Sequence, residues 1–257
     1  MAISLRNRRI LALFVLVGLG ILAGLAEQRL LIPFAESRLP AEEVVYWEKH
    51  VERNPETAAS HLRLGLAYAK TDQLEEAESS FAEALVLDVA YDAAAVGRYG
   101  VAVRRGEQER ALSALDGYAR DNPTCVVCWQ NLGAEYLRLQ RLRAAQDAVQ
   151  KLLASDLTVE SGMYSAENLE VEALVLAGRV NAARGDLRRA IEYFGDAIER
   201  EPGDVRAYLL QAKNLLANRE PESALVVLDR AVAYADGKPR IQREIERLKR
   251  RANQVSQ

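Results

Sequence analysis

The chain has 257 residues, 49% of them hydrophobic and 28% charged, enough apolar material for a sizeable core and too much for a disordered chain. A formal net charge of −3 gives no general attraction to polyanions, so nucleic acid is not expected as a partner. Aromatic residues make up only 6%, alanine is abundant, and no run alternates β-branched with polar residues, a combination that favours packed helices over sheets.

The first predicted element is a membrane segment. Residues 10–26 are uncharged and mostly apolar; Arg6, Arg8 and Arg9 precede them and Glu27 and Arg29 close them. The cations hold residues 1–9 in the cytoplasm and direct the rest outwards. At about 1.5 Å per residue the segment spans roughly 25 Å, short for an anchor but long for the apolar stretch of a cleavable signal. It is read as an uncleaved single-pass anchor. Gly24-x-Ala26 supplies small residues for cleavage, and secretion after signal removal is the alternative. Gly20 and Gly24 form a G-x-x-x-G through which two anchors can pair, one route to a homo-oligomer. Residues 27–41, with Pro33 and Pro40, mixed charges and no sustained period, are a stalk. In residues 42–57 the spacing of Val44, Val45, Trp47 and Val51 predicts one amphipathic helix ending before Pro55.

Residues 58–91 contain His61-Leu62-Arg63-Leu64-Gly65-Leu66-Ala67-Tyr68, followed by Ala77, Phe81 and Ala84. This reproduces L-G-x2-Y and A-x3-F of a 34-residue helix–turn–helix pattern, with His61 in the place of its Trp and Val89 in the place of its Pro. The stretch resembles a tetratricopeptide repeat. Steps of 34 from Ala77 reach Ala111 and Ala145, and a step of 34 from Val89 reaches Pro123, where a second helix must stop. Residues 126–159 match best, through Trp129, Leu132, Gly133, Tyr136 and Ala145. Gly178, Ala190, Phe194, Ala197 and Pro202 realign only after 45 residues, which places an 11-residue insertion at 160–170, expected as a loop. A fifth repeat keeps Tyr208, Ala212, Ala224, Leu228 and Ala231. Residues 58–238 thus read as five repeats, 42–57 as the second helix of an incomplete one, and 239–257 as a capping helix and tail. The resemblance, with the apolar segment, implies an all-α fold: a right-handed α-solenoid of helix hairpins preceded by one transmembrane helix.

Chemistry has few footholds in this sequence. Cys125-x-x-Cys128 falls where the first helix of the third repeat should start, at a spacing that a disulfide tolerates and where a helix N-terminus lowers thiol pKa. A local disulfide formed in an oxidising compartment is the expected state, and a thiol-redox or haem-handling role is the alternative. The alternative lacks support: no strand frames the pair, and Trp129 rather than His follows it. Zinc would need His50 and His61 beside the cysteines, and His61 lies two repeats away, so no metal or other cofactor is expected. Ser60 and His61 are sequence neighbours that diverge on a helix, and no phosphate-binding or nucleophile motif is present, so the chain reads as no enzyme.

The resemblance implies a concave groove lined by the first helices. Leu62, Leu66 and Ala69 share the relevant face, as do Val96 and Val103, Val127 and Leu137, and Leu209 and Leu216. Lys70, Arg104 and Arg138 recur every 34 residues and are expected to align as a basic row. An apolar groove with a cationic edge suits an amphipathic helix or an acidic extended peptide. The expected protein is a scaffold in the bacterial inner membrane, its repeats facing the periplasm, acting as an accessory factor in assembly or biogenesis.

Overall fold

A computed structural model describes residues 39–155 and 166–255, and every regular element in them is helical. In chain order these are α1 (Pro40–Arg53), α2 (Ala58–Lys70), α3 (Leu74–Leu87), α4 (Asp92–Arg104), α5 (Gln108–Asp121), α6 (Val126–Arg138), α7 (Leu142–Ala154), α8 (Ala166–Ala183), α9 (Leu187–Arg200), α10 (Val205–Ala217), α11 (Pro221–Val232) and α12 (Pro239–Val255). The helix α8 starts at Ala166, so part of the stretch expected as an inserted loop is helical; residues 156–165 lie outside the described residues. So does the predicted membrane segment at 10–26, and no helix among the described residues is long and apolar enough to cross a membrane. The described residues fall into two compact units, broadly the chain up to Cys128 and the chain from Trp129 on.

Each hairpin turns through one residue in the left-handed region. In chain order these are Asp72 (φ 65°), Gly106 (80°), Gln140 (57°), Gly185 (85°) and Arg219 (62°). They recur every 34 residues except from Gln140 to Gly185, a step of 45, and only two are glycine, the residue that adopts this conformation without steric cost. A left-handed residue after a helix lets the next amides bond back to its last carbonyls; Gln73 N–H reaches the Tyr68 carbonyl at 3.0 Å, and Glu220 N–H the Leu215 carbonyl at 2.9 Å.

In the first unit the core joins Leu62, Leu66 and Ala69 of α2 to Ala77, Phe81 and Ala84 of α3 and to Ala94 and Val101 of α4. Phe81 explains why its neighbours are small. A Cβ added at Gly65 would come within 2.7 Å of the ring, and one at Gly97 within 2.8 Å. Glycine on both flanking helices gives the ring room to fill the space between them. The second unit repeats the device, with Gly178 of α8 against Phe194 of α9. There Tyr208, Ala212, Leu228, Ile245 and Leu248 extend one apolar cluster from α10 through α11 to α12. On α12 the buried stripe is Ile245, Leu248 and Ala252, and the exposed face is charged; Lys213–Glu244 (3.0 Å) and Lys249–Asp229 (2.7 Å) tie the helix to α10 and α11. A terminal helix with one polar face suits the end of such an array.

Candidate functional site

The residues expected to line a groove are mostly spent on packing. Leu62 is 4% exposed and Leu66 6%, and both belong to the Phe81 cluster with Ala69. The physical reason is that the buried residues of α2, among them His61, Leu62, Leu64, Gly65, Leu66 and Ala67, fall on nearly every side of it, and such a helix is buried almost all round. Val96, Val127, Leu137 and Leu216 are buried as well, while Val103 and Leu209 keep half-buried side chains on first helices. The expectation of a broad open apolar lining is therefore corrected: Leu62, Leu66, Val96, Val127 and Leu137 build the interior, and Val103 and Leu209 reach the surface.

The expected basic row is likewise not a row of bare cations. Lys70 Nζ donates to the Glu43 carboxylate at 2.8 and 2.9 Å, joining α2 to α1. Arg104 donates to Asp72 Oδ1 at 2.7 Å and to the Ala69 carbonyl at the end of α2, so it closes the C-terminus of the preceding repeat's first helix. Arg138 holds Glu135 of its own helix at 2.6 and 2.9 Å. The correction follows from where the carboxylates stand: each cation has an acid within reach on its own or a neighbouring element. Exposed pairs of this kind contribute about 0–1 kcal/mol, so an incoming carboxylate competes with them at little cost.

Two tyrosines bridge helices in the first unit. Tyr68 of α2 donates to Glu48 of α1 at 2.7 Å, and burial together with that carboxylate pushes its hydroxyl up to about 12. Tyr118 of α5 donates to Asp92 Oδ1 of α4 at 2.9 Å and is raised for the same reasons. Burial also raises Asp92, the Tyr118 hydrogen bond opposes it, and Asp88 adds to it. His61 occupies the place of the repeat's Trp, buried, with Nε2 donating to the Pro55 carbonyl at 2.8 Å, away from the cysteines.

Cys125 and Cys128 are joined by a disulfide, their Cα atoms 5.3 Å apart and both side chains fully buried. The Cys128 amide donates to Cys125 Sγ at 3.2 Å, so the first sulfur acts as the N-terminal cap of α6. Asp92 completes a cluster that sequence reasoning missed, with a carboxylate oxygen and the two sulfurs all within 4.8 Å of one another. The signal was present in the spacing: Asp92 begins the first helix of one repeat and Cys125 immediately precedes the first helix of the next, and stacked repeats bring such positions together.

Two segments match family models described as tetratricopeptide repeat, at residues 46–95 and 181–248. A search of curated proteins found no match. Among solved structures the chain is similar to YrrB, described as a TPR protein with an unusual peptide-binding site, at 20% identity and a TM-score of 0.55 over 77% of this chain and 96% of that one. PilF of Pseudomonas aeruginosa is similar at 18% identity and a TM-score of 0.59, over 79% of this chain and 90% of that one. Yeast Tom70 gives a TM-score of 0.66 at 13% identity, covering 86% of this chain but only 45% of Tom70. With the helix hairpins, the turn register and these matches, the chain carries tetratricopeptide repeats.

Proposed function

We propose that this chain is a membrane-anchored, extracytoplasmic scaffold whose repeats bind a protein or peptide partner, serving as an accessory factor in assembly or biogenesis. The observation that carries the reading is the tetratricopeptide repeat itself, present in both units and built of hairpins whose first helices keep Val103 and Leu209 at the surface. The peptide-binding site named for YrrB supports it by analogy of fold. Anchoring through residues 10–26, with the repeats facing the periplasm, is supported by Arg6, Arg8 and Arg9 before an apolar run. A disulfide also suits an oxidising compartment.

Photo-crosslinking from side chains placed at Val103 and Leu209, with Val86 of α3 as a second-helix control, tests the binding reading. Adducts with the same partner from Val103 and Leu209 and none from Val86 are expected. Equal yields from all three sites would refute a first-helix binding face. The rival thiol-redox reading meets an obstacle in the burial of both sulfurs, which leaves a macromolecular thiol no line of attack.

A further inference from the structure

Cys125, Cys128 and Asp92 form the one group of sulfur, imidazole and carboxylate donors among the described residues that converges tightly enough to share an ion, with every ligand atom within 4.8 Å of the others. C-x-x-C at a helix N-terminus is also the spacing with which thiolate pairs hold zinc. We propose that in its dithiol form this cluster binds a thiophilic divalent cation, zinc foremost, through the two sulfurs and one Asp92 carboxylate oxygen, and that the disulfide and the metal are mutually exclusive states of one site.

With the disulfide closed the three ligand atoms already lie within 4.8 Å of one another, and reduction and ionisation would turn the same residues into three neighbouring negative groups, two of them sulfurs with no exposure to water. Such a group persists only if it is protonated, oxidised or neutralised by a cation. The neighbours already suit the last outcome. The Cys128 amide at the N-terminus of α6 already donates to Cys125 Sγ at 3.2 Å, so one ligand is held in place by the backbone. Tyr118 donates to Asp92 Oδ1 at 2.9 Å, which fixes the carboxylate, the kind of support that outer hydrogen bonds give metal ligands. Asp92 is half-buried, so a small ion has an approach that a bulky thiol lacks. Two sulfurs select zinc or cobalt over magnesium and calcium, and three protein donors leave the fourth tetrahedral position to water.

A phosphine attacks one sulfur and displaces the other as a thiolate; water then converts the phosphorus to its oxide, releases the second sulfur and supplies one proton to each, giving two thiols. Binding the cation releases both protons and forms two metal–sulfur bonds. Dioxygen takes two electrons from the metal-bound thiolates and two protons from solvent to give hydrogen peroxide, the sulfurs rejoin as a disulfide, and the ion leaves.

The test uses the full chain in detergent, reduced with a phosphine without oxygen and titrated with cobalt(II). Thiolate-to-cobalt charge-transfer absorption saturating at one equivalent, and displaced by zinc, is expected. Cys125→Ser/Cys128→Ser should abolish it, and Asp92→Asn should weaken affinity at least tenfold with the absorption retained at saturation. Tyr118→Phe, which leaves all three donors in place, should weaken it by about tenfold. Circular dichroism of each reduced variant separates lost binding from lost fold. Absence of the absorption in a folded, reduced wild-type chain overturns the proposal, as does unchanged affinity in a folded Asp92→Asn variant.

Discussion

Phe81 shows how much of this fold rests on single positions. Its ring occupies a slot that exists because Gly65 and Gly97 carry no Cβ; a methyl at Gly65 would stand 2.7 Å from two ring carbons, closer than van der Waals contact permits. Because the ring is confined on the Gly97 side too, it cannot move away. Gly65→Ala is therefore expected to lose about 1–2 kcal/mol of stability, the overpacking cost outweighing the helix-propensity gain. Gly117 in α5 meets nothing within 4 Å of an added Cβ. Gly117→Ala is expected to gain about 0.5–1 kcal/mol. Urea denaturation of the two variants side by side separates packing from propensity: equal stabilisation would show that the Phe81 slot is loose.

At the scale of the element, the hairpin turns are where local chemistry and the repeat disagree. Gln140 and Arg219 hold φ of 57° and 62° with a Cβ, at places where Gly106 and Gly185 do so without one. The left-handed conformation costs an ordinary residue about 1–2 kcal/mol, against which glycine forfeits part of its advantage through the freedom of the unfolded chain. Arg219→Gly is expected to stabilise the second unit by about 1 kcal/mol, read as a raised melting temperature; a fall would mean that the Arg219 side chain makes a contact worth more than the backbone strain. The helices around these turns were legible in the sequence because Ala77, Ala111 and Ala145, with Pro123, mark fixed places in the repeat. Spacing conveys phase, however, and not exposure. It placed Leu62 and Leu66 on the face expected to bind, although a helix buried almost all round has no face to spare. Nor did it reveal that Glu43, Asp72 and Glu135 stand beside Lys70, Arg104 and Arg138, since two of those acids come from other elements. Asp92 escaped for a related reason: a lone aspartate at the start of a helix reads as a charge suited to the helix dipole, and only its approach to Cys125 and Cys128 makes it a ligand candidate.

For the whole molecule, compartment and cysteine chemistry are one question. The proposed export brings Cys125 and Cys128 into an oxidising space, where the disulfide forms; a chain held in the cytoplasm keeps two thiols. The loop the bond closes is short, so by the chain-entropy relation it contributes about 2 kcal/mol, and the reduced chain is expected to stay folded on its apolar clusters. Replacing Arg6, Arg8 and Arg9 with glutamine removes the cations that orient residues 10–26 and is expected to retain a fraction of the chain inside. Alkylation of thiols in rapidly denatured cells reads the result: the wild type should be unreactive and the triple variant should gain two reactive thiols. Under native conditions those thiols should still react slowly, because both sulfurs are buried, and zinc bound with Asp92 should slow them further. A wild-type chain found fully reduced in cells would refute the exported topology while leaving the repeats, and the metal site in its dithiol form, intact.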